Sequence, residues 1–189
     1  SVFKTAANHD SNKLTLQDYP WLTYISSNAE KSLPIASERS LRFEISWLYE
    51  LSQCTRFIRE TVRAGKCIVW IRNTIDDALN AYRELIYDPE INSEDVILFH
   101  SRFAFVDRQR IENQALESLG KKSCAAQRSG KIIISTQVIE QSLDIDADEM
   151  ISDLAPIDLL IQRSGRLHRH IRDREGRVVS TGEDARSSP

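Results

Sequence analysis

Arg163, Arg166 and Arg169 recur at intervals of three, beside Gln162, Gly165 and His168. On a helix this spacing sends three guanidiniums in similar directions, where they repel unless an anion lies among them. Gly165 costs helix stability but lets a ligand come close to the backbone. Planar guanidiniums grouped in this way suit the oxygens of a phosphate. The run continues through Arg172, Arg174 and Arg177, with only Asp173 and Glu175 opposing it. A solvated face produces the same pattern.

Three further segments carry hydroxyls, amides and charged groups. They are Arg72-Asn73-Thr74, His100-Ser101-Arg102-Phe103, and the stretch from Thr136-Gln137 to Asp144-Ile145-Asp146. Such groups suit contacts to a phosphate backbone. Each also has a plain structural reading: Thr74 as a helix cap, His100 as a satisfied structural histidine, Arg102 as a solvated cation, Asp144 and Asp146 as turn residues. Lys121, Lys122, Arg128 and Lys131 form a basic stretch without acids among them, which reads equally as a nucleic-acid track or an exposed loop. Cys54, Cys67 and Cys124 are odd in number and scattered, which points away from a disulfide framework and a zinc site.

The elements that must position these groups alternate in period. A stripe at three- and four-residue spacing (Leu41, Ile45, Leu48, Leu51, Cys54, Ile58, Val62) predicts an amphipathic helix, capped by Ser37 or Ser40 and stopped at Gly65. Lys66–Arg72 predicts a buried strand, and Ala78, Leu79, Tyr82, Leu85 and Ile86 a second helix. Val96–Phe99, Ile132–Ser135 and Met150–Leu154 predict three more strands, with helices over 107–119 and 157–164. Strands alternating with helices give an α/β fold: a mostly parallel sheet with helices on both faces. Ligands gather at the carboxyl ends of such strands, where all the segments above fall. Residues 1–38 read as a polar linker or N-terminal extension with one short strand near Tyr19–Ile25, 39–172 as the domain, and 173–189 as a C-terminal tail.

The 189 residues carry 25 Lys plus Arg against 28 Asp plus Glu, a formal charge of −3, and 41% hydrophobic residues. That length and balance fit one globular domain and exclude global disorder. No apolar run reaches the ~18 residues of a membrane span, so no membrane partner is expected, and the scattered cysteines read most simply as reduced, in a cytoplasmic protein. The first residue is Ser and the chain closes on Ser187-Ser188-Pro189, which reads as a piece of a longer chain.

These residues resemble a known family. Gln162-Arg163-Ser164-Gly165-Arg166-Leu167-His168-Arg169 is similar to motif VI of superfamily 2 helicases, and Ile134 to Asp146 to their motif V. Val69–Thr74 resembles motif IV, and Phe99–Phe103 the motif IVa region. Order and spacing match the second RecA-like domain over roughly residues 66 to 170. The wording of Thr136–Asp144, Asp153–Arg163 and His168-Arg169-His170 resembles, more narrowly, the CRISPR-associated helicase-nuclease of type I systems, with a lean towards the E subtype.

The resemblance implies a single-stranded-DNA translocase, fused to a metal-dependent HD nuclease and recruited by the Cascade surveillance complex. Arg166 and Arg169 then match arginine fingers, and Gln162 a position near the γ-phosphate. Asp144 matches a motif V acid placed near the ribose or coupling the nucleotide and DNA sites, with Arg163 and Gly165 among the nucleotide-binding residues. Asn73, Thr74, Ser101, Arg102, Thr136 and Gln137 match positions that hold the DNA backbone. The cofactor implied is ATP with Mg2+, but Gly65-Lys66 and Gly130-Lys131 do not complete a P-loop, and His9-Asp10 is far short of an HD metal cluster. The preceding RecA-like domain would therefore hold the Mg2+, a missing HD domain the nuclease metal, and this chain alone would be inactive. Two other readings stand beside this one: a different superfamily 2 DNA or RNA helicase, and a non-catalytic DNA- or partner-binding module.

Overall fold

A computed structural model of the chain describes residues 21–26, 29–34 and 42–186. Residues 1–42 form one unit and 43–189 another. In the first, β1 (Trp21–Ser26) pairs antiparallel with β2 (Ala29–Pro34), Trp21 opposite Pro34 and Ser26 opposite Ala29. A single strand was expected here. The partner Ala29-Glu30-Lys31-Ser32-Leu33-Pro34 lacks apolar alternation, so the pattern rule gives no sign of it. The rest of the expected extension, with His9-Asp10, and the expected helix caps Ser37 and Ser40 lie outside the described residues.

The second unit is built on four parallel strands: β3 (Ile68–Ile71), β4 (Val96–Phe99), β5 (Ile132–Ser135) and β6 (Glu149–Ser152), in the order β4-β5-β3-β6. Ile68 lies opposite Ile132 and Glu149, so the strands end in register and their following loops share one edge. The expected α/β sheet is present.

Pleating divides the apolar strand residues between the two faces. Val69, Ile71, Ile97, Phe99 and Ile133 pack against Ile111, Ala115 and Leu119 of α3 (Phe105–Leu119). Ile68, Trp70, Val96, Ile132 and Ile134 pack against α1 (Leu51–Arg63) and α2 (Ile75–Ile86), through Ile58, Ala78, Ala81 and Leu85. Each fully buried side chain of this size stabilises by about 1.5–3 kcal/mol. Because both faces are covered, the strands read as unbroken apolar runs rather than as alternating ones.

The first helix is shorter than its stripe. It begins at Leu51, where Gln53 Oε1 accepts hydrogen bonds from the amides of Tyr49 (2.7 Å) and Glu50 (3.1 Å). Upstream, Leu48 still packs against the core but Ile45 is exposed, so the stripe there meets too little surface to sustain a helix. The helix stops where expected, at Gly65 (φ 72°), with the Lys66 amide donating to Thr61 O at 3.1 Å. Two short helices complete the unit: α4 (Ala125–Arg128) and α5 (Val138–Ser142). The last is α6 (Ile157–Ser164).

Candidate functional site

At the carboxyl edge, Arg163 is the joining piece. It is 2% exposed. Its Nε donates to Glu140 Oε1 of α5 at 2.7 Å, and Nη1 to Ser152 Oγ at 2.8 Å and to Asp153 O at 3.1 Å; Nη2 reaches Asn73 Oδ1 at 3.4 Å. One guanidinium thus ties α6 to α5, to the end of β6 and to the loop after β3. Its donors are spent on protein acceptors. Asp153 adds a second tie, its Oδ2 accepting from Arg72 Nε (3.0 Å) and the Asn73 amide (2.9 Å).

The three arginines do not share a helix face. The helix ends at Ser164 with Gly165 as its cap, so Arg166 and Arg169 lie on the loop beyond it. Propensity explains the stop: Gly165 and the following His168, at φ 45°, favour leaving the helix. A non-glycine residue in that left-handed region carries strain, held here by His168 N donating to Ala147 O (3.0 Å) and Ala147 N to Arg166 O (2.8 Å).

Arg166, half-buried, sends Nη1 to Leu143 O and Nη2 to Glu140 O at 2.7 Å. Burial, with the charge of Arg169, lowers its pKa from the ordinary arginine value. Arg169 is exposed, and its Nε lies 2.5 Å from Asp144 Oδ1. His170 Nε2 is 3.2 Å from the same oxygen. Burial lowers the His170 pKa while Asp144 opposes it, and His170 and Arg169 together hold the Asp144 carboxyl below its usual range against the effect of burial. Gln162 is exposed one turn earlier. Asp144, Gly165, Arg166 and Arg169 therefore meet at one edge, with Arg163 beneath them.

The six positions expected along a DNA backbone fall in the loops of that edge, with different degrees of access. Asn73 is exposed, its Nδ2 donating to Leu154 O at 2.7 Å. Thr74 caps α2, its Oγ1 accepting from the Asp77 amide at 3.1 Å. Ser101, Arg102 and Gln137 are exposed, with Arg102 Nη1 3.7 Å from Asp76 Oδ1. Thr136 is 2% exposed. His100 is structural, its ring stacked on Phe103 at 4.1 Å and its Nδ1 accepting from the Arg102 amide at 3.3 Å.

A second cluster, absent from the sequence reading, lies behind the arginine loop. Asp146 is fully buried. Its Oδ2 accepts from Arg172 Nε at 2.6 Å, and its Oδ1 from the Arg169 amide at 2.9 Å and Arg186 Nη1 at 3.0 Å. Asp148 accepts from Arg128 Nη2 (2.7 Å), Arg186 Nη1 (3.1 Å) and the Cys67 amide (3.0 Å). Burial pushes the Asp148 carboxyl up, but Arg128 and the Cys67 donors outweigh it and hold it at about 2. Burial together with Asp148 raises the Cys67 thiol far above its ordinary range. Arg128, read as part of a basic track, is thus a buried ion-pair partner, and Lys131 pairs with Asp95. Residues 173–186, read as a tail, fold back into the same unit, with Ala185 N donating to Arg172 O at 2.8 Å. Nothing in the acidic run Asp144-Ile145-Asp146-Ala147-Asp148-Glu149 tells which carboxylates are buried; once Asp146 and Asp148 are, they need buried cations.

The family model described as CRISPR-associated nuclease/helicase Cas3, C-terminal, matches residues 64–172, more than half of the chain. The chain belongs to this Cas3 family. The Cas3 nuclease/helicase of Streptococcus thermophilus is 46% identical over 114 residues, covering 60% of this chain and 12% of that protein. The T. fusca Cas3-ATP crystal structure superposes with a TM-score of 0.64 at 28% identity, over 81% of this chain and 19% of that one. A CRISPR RNA-guided surveillance complex in a pre-nicking state contains a chain matched at TM-score 0.58 and 30% identity, over 81% and 20%. The chain thus spans a small part of its Cas3 relatives, and its RecA-like sheet is that of their C-terminal helicase domain. Among the described residues no cluster of His, Cys, Asp and Glu is arranged to hold a metal ion, and no helix is long and apolar enough to cross a membrane.

Proposed function

We propose that this chain is the second motor domain of a Cas3-type, ATP-dependent single-stranded-DNA translocase acting in CRISPR interference in the cytoplasm. Arg166 and Arg169 serve as its arginine fingers. The observation that carries the reading is the exposed guanidinium of Arg169 at the carboxyl edge, beside Asp144 and above the Arg163 brace. A relative's structure with ATP supports the nucleotide, and one in a surveillance complex supports Cascade as partner. The lean to the E subtype rests on the wording of the motifs alone.

The residues present fit one side of a triphosphate. They offer cationic donors for the outer oxygens but no P-loop to cradle the phosphates, which a preceding RecA-like domain in the same chain would supply with the Mg2+ ligands. ATP, when bound, supplies a phosphoryl group whose transfer spreads charge over those oxygens. Arg169 and Arg166 neutralise that charge from this side as the two domains close, and Gln162 helps to orient water. Asn73, Thr74, Ser101, Arg102 and Gln137 place donors along one edge, where they grip a DNA backbone without reading its sequence. Thr136 contributes through its backbone and by shaping that loop. Closure at the nucleotide then shifts the grip on the strand.

The test is single-stranded-DNA-stimulated ATPase of the full parent chain with Arg166→Ala and Arg169→Ala. Turnover is expected to fall about a hundredfold or more, with DNA affinity kept. Unchanged turnover in both would leave the edge as a clamp for DNA or a partner. The 189-residue chain by itself is expected to hydrolyse no ATP.

A further inference from the structure

The loop that bears Arg169 is held from behind by a residue outside the matched family segment of 64–172. Arg186 sits 14% exposed, and its guanidinium reaches three parts of the fold at once. Nη2 donates to His170 O, one residue past Arg169. Nη1 donates to Asp146 Oδ1 at 3.0 Å, the oxygen that also accepts the Arg169 amide at 2.9 Å. The same Nη1 lies 3.1 Å from Asp148 Oδ1. Asp184 orients it, accepting from Nε at 3.0 Å through Oδ1 and from Nη2 at 2.8 Å through Oδ2.

We propose that Arg186 is a positioning residue for the arginine loop: it fixes the peptide groups on both sides of the Arg169 side chain by holding Asp146 and the His170 carbonyl. This rests on the reading of Arg169 as a finger. The physical reason is that a guanidinium on a flexible side chain aims no better than its backbone is held. The Arg169 amide hangs on a carboxylate that two cations keep in place. Arg172, with Nε on Asp146 Oδ2 and the rest of its donors on Ser123, Gly176 and Gly120 carbonyls, neutralises that carboxylate permanently. Arg186 is the one that also grips the loop. Loss of Arg186 leaves Asp146 paired with Arg172, so the sheet stays folded while the loop loosens. A misplacement of the order of 1 Å at a reacting group costs about a hundredfold, and a merely loosened loop less.

The experiment uses the full parent chain with Arg186→Met, Arg186→Lys and Asp184→Asn. It reads kcat and KM for ATP under saturating single-stranded DNA, DNA affinity, and hydrogen exchange of the peptide spanning 166–170. In Arg186→Met, kcat is expected to drop about tenfold, with KM and DNA affinity within about twofold. Exchange over 166–170 should rise while β3 and β5 stay protected. Arg186→Lys, which keeps the charge and reaches part of the acceptor set, should recover most of the loss. Combined with Arg169→Ala, Arg186→Met should add no further loss. Unchanged kcat in Arg186→Met, or unchanged exchange over 166–170, overturns the proposal; so does faster exchange that extends equally to β3 and β5. If Arg186→Met does not fold, Asp184→Asn decides by the same readouts, with His168→Gln as the control for the 3.4 Å contact between Asp184 Oδ2 and the His168 ring. If Arg169→Ala itself turns over normally, the finger reading fails, and the 166–170 exchange still decides whether Arg186 holds the loop.

Discussion

Arg169 Nε lies 2.5 Å from Asp144 Oδ1, with both side chains more than two-fifths exposed. Asp144 competes with a phosphate for the Arg169 guanidinium. An exposed pair of this kind stabilises by about 0.2–1 kcal/mol, so the exchange for a multiply charged phosphate is favourable. Asp144→Asn is therefore expected to alter ATP turnover of the full chain by no more than about fivefold, against a hundredfold or more for Arg169→Ala. A hundredfold loss in Asp144→Asn, measured in the same ATPase assay, would mean that the carboxylate itself works on the nucleotide.

Arg163 belongs to another energetic class. Its partner Glu140 is 4% exposed at the side chain, and neither group can turn to water if the other is removed. Truncating one member of a buried pair costs about 3–5 kcal/mol, a large part of the ~5–15 kcal/mol that a domain has. Arg163→Met should lower the unfolding free energy by that amount in denaturant titration of this chain. Arg163→Lys should recover little, because one ammonium cannot reach Glu140, Ser152 and the Asp153 carbonyl together. Wild-type stability in Arg163→Met would show that the brace carries no weight.

The sheet was legible because burial on both faces turns strands into short unbroken apolar runs, and Ile68–Ile71, Val96–Phe99 and Ile132–Ser135 each stand between turn residues. The start of α1 was not, since spacing alone cannot tell that Ile45 meets no packing surface. The edge loops were legible as a set, because parallel strands in register deliver their ends together. The division of labour among Arg163, Arg166 and Arg169 was hidden, for a three-residue spacing has meaning only if the helix continues, and it ends at Ser164. The Asp146 and Asp148 cluster escaped for a different reason. Its cations, Arg128, Arg172 and Arg186, come from distant parts of the chain and carry no shared local pattern.

Arg102 offers a test of the DNA edge that leaves the nucleotide residues alone. Its side chain is 68% exposed and 3.7 Å from an even more exposed Asp76, a pairing too weak to hold it from a phosphate. One phosphate contact contributes about 0.7 to the slope of log affinity against log salt for single strands. Fluorescence anisotropy with the full chain should show Arg102→Ala lowering that slope by about this amount, equally for unrelated sequences. An unchanged slope would remove Arg102 from the DNA track.

Acid should loosen this domain through its histidines. His100, His168 and His170 all have pKa values lowered from the usual 6.5, in each case first by burial. The unfolded chain therefore binds more protons than the native one as pH falls through about 6.5, and stability declines with it. Each histidine contributes a slope of at most about 1.4 kcal/mol per pH unit. Asp148, held at about 2, adds nothing in this window, since its contribution fades only below the ordinary carboxylate range. His168, 3% exposed and 3.4 Å from Asp184 Oδ2, is the most enclosed histidine among the described residues. Denaturant titrations at pH 7.5 and 5.5 should show the wild-type chain less stable at the lower pH, and His168→Gln should shrink the difference. Equal stability at both values would mean that these rings take up protons as readily in the native chain as in the unfolded one.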